Sequence, residues 1–209
     1  MKLPYFIIGA IFAIGVSFAE PAAAHDARAG IGRSKETPVG RPLELPDGIV
    51  VSEPIGAYIE DHCFPEEQEV RPQEGHGANI QLCLGFSNTL PTPVTISLPA
   101  GLIFVSFDTR SQNGLLIQTE AFEVPPGDNP YFVSLSLQCL NASRSTGRAR
   151  DTYHVGPITQ DEPITQLIRM LDGKALTDEH IPAVQNALWS VTDGDGLLPR
   201  DRDALEAIQ

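Results

Sequence analysis

Between about residue 47 and residue 157 the apolar residues fall into short runs, each stopped by a turn-forming cluster before it reaches helical length. Asn79-Ile80-Gln81-Leu82-Cys83-Leu84-Gly85-Phe86 alternates at period two. Runs at 94–98 and 102–107 follow across Pro99-Ala100-Gly101, and then come 115–117 and 122–124. After a Pro-Pro-Gly turn the run 131–140 closes the series. Its alternation puts Tyr131, Val133, Leu135, Leu137 and Cys139 on one face, so Cys139 has core-facing parity. Short strands at this spacing predict an immunoglobulin-like antiparallel β-sandwich over residues 46–157.

After residue 157 the period changes from strand to helix. Ile164, Leu167, Ile168 and Leu171 form a helical stripe behind Pro163, and Gly173 ends it. Thr177 is placed to cap the next helix, with Asp178 and Glu179 in its first turn. There Ile181, Val184, Leu188 and Val191 define one apolar face. Asp193-Gly194-Asp195-Gly196 breaks that helix, and a last short one is expected over 199–208. Residues 158–209 thus read as a helical annex of two to three short helices packed on the sandwich. Residues 25–45 show no period and read as a flexible leader.

The first 24 residues read as an export signal. Lys2 is followed by an apolar run, and then by the small-residue sites Ser17-Phe18-Ala19 and Ala22-Ala23-Ala24. The run is short for a membrane span, which needs about 20 residues. The expected product is periplasmic, secreted or at the cell surface, with no membrane insertion after cleavage. Residues 42–209 carry 24 acidic and 9 basic side chains. A surface of that sign repels nucleic acid phosphates and anionic lipid, and both are excluded as main partners. In an oxidising compartment Cys63 and Cys83, flanking a polar loop, make the natural disulfide. Cys139 is then left over: well buried, paired between chains, or chemically used.

Gln185 is the misplaced residue of the annex. It lies one turn after Ile181 and one turn before Trp189, inside the apolar stripe. A carboxamide turned to a core costs about 1–3 kcal/mol unless it is paired. An inward Gln on a helix and an inward Cys ending a strand suit an internal thioester. The Cys139 thiolate would expel ammonia from the Gln185 carboxamide, and Leu188 and Trp189 would shield the product from water.

Gln185-Asn186-Ala187-Leu188-Trp189, followed by Thr192-Asp193-Gly194, resembles the glutamine motif of thioester domains in bacterial surface adhesins. That motif reads Thr-Gln-x-x-(Ile/Leu)-Trp with acidic residues after it. Val184 stands where threonine is usual, and Gln138 precedes the cysteine. Residues 95–200 also resemble a broader set of uncharacterised exported bacterial proteins. The resemblance implies an adhesion or surface-interaction module, with Cys139 and Gln185 forming a thioester that captures a protein or surface amine covalently. It implies no cofactor, and no enzyme beyond a single self-reactive turnover.

The rival expectation is a non-covalent structural or binding domain, in which Gln185 caps backbone groups of the sheet and Cys139 is a small core hydrophobe. A minor alternative is a copper site at His25, which cleavage after Ala24 would make the N-terminus. His62, Cys63, His76 and Cys83 lack tight zinc spacing, and no metal site is assigned. Aligning Gly196 with a calcium-loop glycine puts Val191 and Arg202 at ligand positions, which rejects that motif. Asn141-Ala142-Ser143 is a glycosylation sequon in form only. No nucleophile elbow, phosphate loop or spaced carboxylate pair singles itself out.

Overall fold

The computed structural model describes residues 28–59, 63–66, 68, 73–77 and 79–209. Its strands are β1 (Gly40–Arg41), β2 (Ile49–Val51), β3 (Ile55–Ala57), β4 (Ile80–Asn88) and β5 (Val94–Leu98), then β6 (Leu102–Ser106), β7 (Gly114–Leu115), β8 (Glu120–Val124), β9 (Tyr131–Cys139) and β10 (Thr152–Thr159). The helices are α1 (Glu162–Leu171), α2 (Ile181–Thr192) and α3 (Pro199–Glu206), with a 3-10 turn at Asp178–His180. Six strands close into an antiparallel barrel in the order β10-β3-β4-β9-β7-β6, and β6 returns to pair with β10. β1 adds to β10 and β2 to β4, while β5 and β8 form a separate two-stranded sheet.

The immunoglobulin-like sandwich is therefore corrected to a closed barrel. The closing strand is β10, and Gly156-Pro157 in its middle reads as a boundary in the sequence. Proline cannot donate to a ladder and is tolerated in a strand at a bulge. The register of β10 with β6 slips between Val155 and Ile158, which accommodates Pro157. Beyond the slip, Ile158 and Thr159 pair with Arg41 and Gly40. The β-region thus runs from Gly40 to Thr159, past both limits expected of it.

Alternation sorts the side chains into two cores. Leu82, Leu84, Phe86, Phe104, Leu135, Leu137, Cys139 and Tyr153 belong to the barrel interior, which β5 and β8 extend with Ile96, Leu98, Phe122 and Val124. Ile103, Val105, Leu115 and Leu140 belong to the outer core, with Ile164, Leu167 and Leu171 of α1, Val184 and Leu188 of α2, and Leu205 of α3. Every residue of β6 is buried, because its two faces serve one core each. Asp161 caps α1 by accepting from the Ile164 N–H at 3.2 Å. Thr177 serves the 3-10 turn before α2, where its N–H donates to His180 Nδ1 at 3.1 Å.

Two connecting segments are built into the fold. The described part of the expected leader packs rather than roams: Ala29 and Ile31 are buried, and the Asn113 and Asn141 side chains donate to the Gly30 carbonyl at 3.0 and 2.9 Å. Long-range side-chain partners of this kind leave no local periodicity. Cys63 and Cys83 form the expected disulfide. It ties a loop to the outer face of β4, and Glu74 of that loop pairs with β9 beside Leu135. Residues 1–24, His25 and His62 lie outside the described residues.

Candidate functional site

The β4–β9 ladder runs as far as Ile80 opposite Leu137. Main-chain groups alternate along an antiparallel strand. Leu140 donates to Asn113 on the β7 side, so the N–H and C=O of Cys139 turn to the β4 side, beyond that ladder. Gln185 of α2 fills the place. The Cys139 N–H donates to Gln185 Oε1 at 2.7 Å, and Gln185 Nε2 donates to the Cys139 carbonyl at 2.8 Å. Donor and acceptor of the buried carboxamide are both satisfied, in the pattern a neighbouring strand would offer.

The three residues after Cys139 are held with equal completeness. The Leu140 carbonyl accepts from Gly32. Asn141, fully buried, accepts from the Asn113 N–H and donates to the Gly30 and Gly32 carbonyls. The Ala142 N–H donates to Asp193 Oδ2 at 3.1 Å. Arg28 donates to the Val191 carbonyl at the end of α2 and lies 3.6 Å from Asp161. Gln185 in the middle of α2 and Asp193 at its C-terminal cap, two polar residues of the motif, thus pin one four-residue segment. Burial of Asn141 closes the sequon position to an attached sugar.

Cys139 and Gln185 are brought together across 46 positions of sequence. Contact runs through the Cys139 main chain, while the thiol belongs to the barrel interior and is fully buried. Burial pushes that thiol up to about 12, against an opposing hydrogen bond from Asn79, so at neutral pH it is protonated. Trp189 packs against the same interior cluster, half-buried, with Nε1 lacking a hydrogen-bond partner among the described residues. Leu188 turns to the outer core instead. Among the described residues, no group of three His, Cys, Asp or Glu side chains is placed to hold a metal.

A second glutamine repeats the arrangement at the start of the same strand. Gln68 Nε2 donates to the Phe132 carbonyl at 2.6 Å, and the Phe132 N–H donates to Gln68 Oε1 at 2.8 Å. It covers the opposite edge of β9, where the Glu74 main chain pairs with Ser134 and Ser136 before β7 begins. No sequence signal singled out Gln68, because it sits in a polar loop where a glutamine is unremarkable. Asn113 immediately precedes β7 and Asn141 lies two residues past the end of β9, so strand parity does not single them out either.

Fold and junction define a small closed β-barrel, braced by one disulfide and, among the described residues, three short helices, with the nine-residue strand β9 held by side-chain amides at both ends. Comparison with protein-family models, with curated proteins and with solved structures finds no match to this chain.

Proposed function

We propose that this chain is an exported, non-enzymatic interaction module that engages its partner without a covalent bond. The observation that carries the reading is the double hydrogen bond of Gln185 to the Cys139 main chain. A carboxamide held in that way lies along the strand edge, whereas the side chain of an extended residue stands off the sheet. Export is supported by the Cys63–Cys83 disulfide, which persists in oxidising compartments. Among the described residues no helix is long and apolar enough to cross a membrane.

The test is the intact mass of the non-reduced mature chain, followed by alkylation and methylamine treatment. The expected result is an unmodified mass, a Cys139 thiol that reacts only after denaturation, and no adduct at Gln185. A mass short by one ammonia, with Cys139 and Gln185 joined, overturns the reading.

That second outcome belongs to covalent capture, which is favoured by one observation. An unpaired cysteine meets a buried glutamine beside the single tryptophan of the chain. In that reading the thiol displaces ammonia from Gln185, and a ligand amine then takes the acyl group and restores the thiol. A Cys139→Ala variant that holds its partner as durably as the wild type excludes it.

A further inference from the structure

Tyr153 stands on the closing strand with its ring in the barrel interior, and it is 1% exposed. Its hydroxyl has no hydrogen-bond partner among the described residues. Buried hydroxyls are almost always paired, so an unpaired one lining a cavity marks a place for a ligand atom. The cavity has a volume of about 190 Å³ and lies between the Ala57–Tyr58 and Asn79–Leu82 segments and the loop Gly147-Arg148-Ala149. A side chain at position 147 would obstruct it, because a Cβ there would lie 2.8 Å from Tyr153 Oη. At about 30 Å³ per water molecule, the space suits an organic molecule of only a few heavy atoms.

Charge narrows the class. The body of the chain is strongly acidic, yet Arg144, Arg148 and Arg150 place three of the nine basic side chains of residues 42–209 within one short loop. Asp108 and Asp151, two carboxylates beside Arg148, are already engaged. Asp108 is paired with Arg110 at 2.7 Å. Asp151 accepts from Ser111 Oγ at 2.6 Å and from the Arg148 N–H at 3.0 Å, which also fixes the loop over the cavity. Arg148, which lines the cavity, therefore brings a positive charge beside a buried hydroxyl donor, in a chain whose net charge otherwise repels anions.

We propose that this cavity binds a small carboxylate, an acid of a few carbons, with Tyr153 Oη donating to one oxygen and Arg148 supplying charge at the mouth. Asn79 lines this cavity and also hydrogen-bonds the Cys139 thiol, so the site adjoins the Cys139–Gln185 junction, but carboxylate binding uses none of the junction's chemistry.

The test uses the mature chain with its disulfide intact, titrated by calorimetry and amide NMR with sodium acetate and sodium propionate at constant ionic strength. Sodium phosphate and sodium chloride form separate arms. Saturable carboxylate binding is expected, with amide shifts centred on 147–149 and 79–82. Tyr153→Phe should weaken it at least about tenfold, as loss of a hydrogen bond to a charged group does. The same variant, without ligand, should melt no lower than the wild type, because it removes an unpaired hydroxyl. Gly147→Ala should abolish binding by filling the space. Absence of saturable carboxylate binding by the wild type, equal affinity in Tyr153→Phe, or binding of phosphate alone each overturns the proposal.

Discussion

A primary carboxamide carries on one rigid plane the donor and acceptor of a peptide bond, and β9 uses Gln185 and Gln68 in place of missing strand neighbours. Gln185→Leu keeps the bulk but leaves the Cys139 N–H and C=O unpaired. We expect a loss of about 2–4 kcal/mol in urea unfolding, against about 1–2 kcal/mol for Cys139→Ala, which removes a single buried sulfur. An equal or larger loss for Cys139→Ala would contradict the main-chain role of Gln185. Glu120 gives a pH dependence. Its carboxyl lies above the usual range, first through burial and then through the charge of Glu74. A raised folded value adds stability that is complete below the unfolded value near 4.5 and lost as pH rises through the folded value. Glu120→Gln should therefore raise the melting temperature at pH 7 and leave it unchanged near pH 4, a contrast that melts at the two pH values measure directly. The inward position of Gln185 is legible in the sequence from its place in the apolar stripe. Its main-chain partner is not, since that depends on where the β4 ladder stops in space.

Elements differ in how openly they announce themselves. β4, β5, β6, β8 and β9 lie where alternation predicts, and α1 begins at its Asp161 cap with Pro163 in the first turn. β10 stays hidden because Gly156-Pro157 breaks its pattern while the bulge preserves its pairing. Missing that strand turns a barrel into a sandwich on paper, since closure rests on it. The disulfide loop is the element whose contribution is easiest to isolate. Gly75 sits at φ +79° with the Ser136 carbonyl 2.3 Å from where a Cβ would go. Gly75→Ala must move the loop off the strand. Hydrogen exchange should then quicken at the Ser136 and Glu74 amides, which bond to each other's segments. Reducing Cys63–Cys83 should cost roughly 3 kcal/mol in the chain-entropy model for a loop of this length, measurable by unfolding with and without reductant. Unchanged exchange at Glu74 in the Gly75→Ala variant would show that the loop does not depend on this turn.

At the scale of the whole molecule, the first described residues act as a structural part of the barrel and its helices. Arg28 joins the end of α2 to the start of α1, and Gly30 and Gly32 occupy the amides of Asn113 and Asn141. A chain beginning at residue 35 should melt roughly 10 °C below one beginning at residue 28, because buried Ile31 is lost and two asparagines are left unpaired. Equal melting temperatures would return this segment to the role of a loose leader. Its lack of period reads as a leader because its anchors lie more than 80 positions away along the chain. The paired glutamines have one more consequence. With a side-chain amide closing each end of β9, that strand offers no open template to an extended segment from another molecule. Recruitment of a partner by strand addition is shut off there, and so is the edge-to-edge stacking by which β-proteins aggregate.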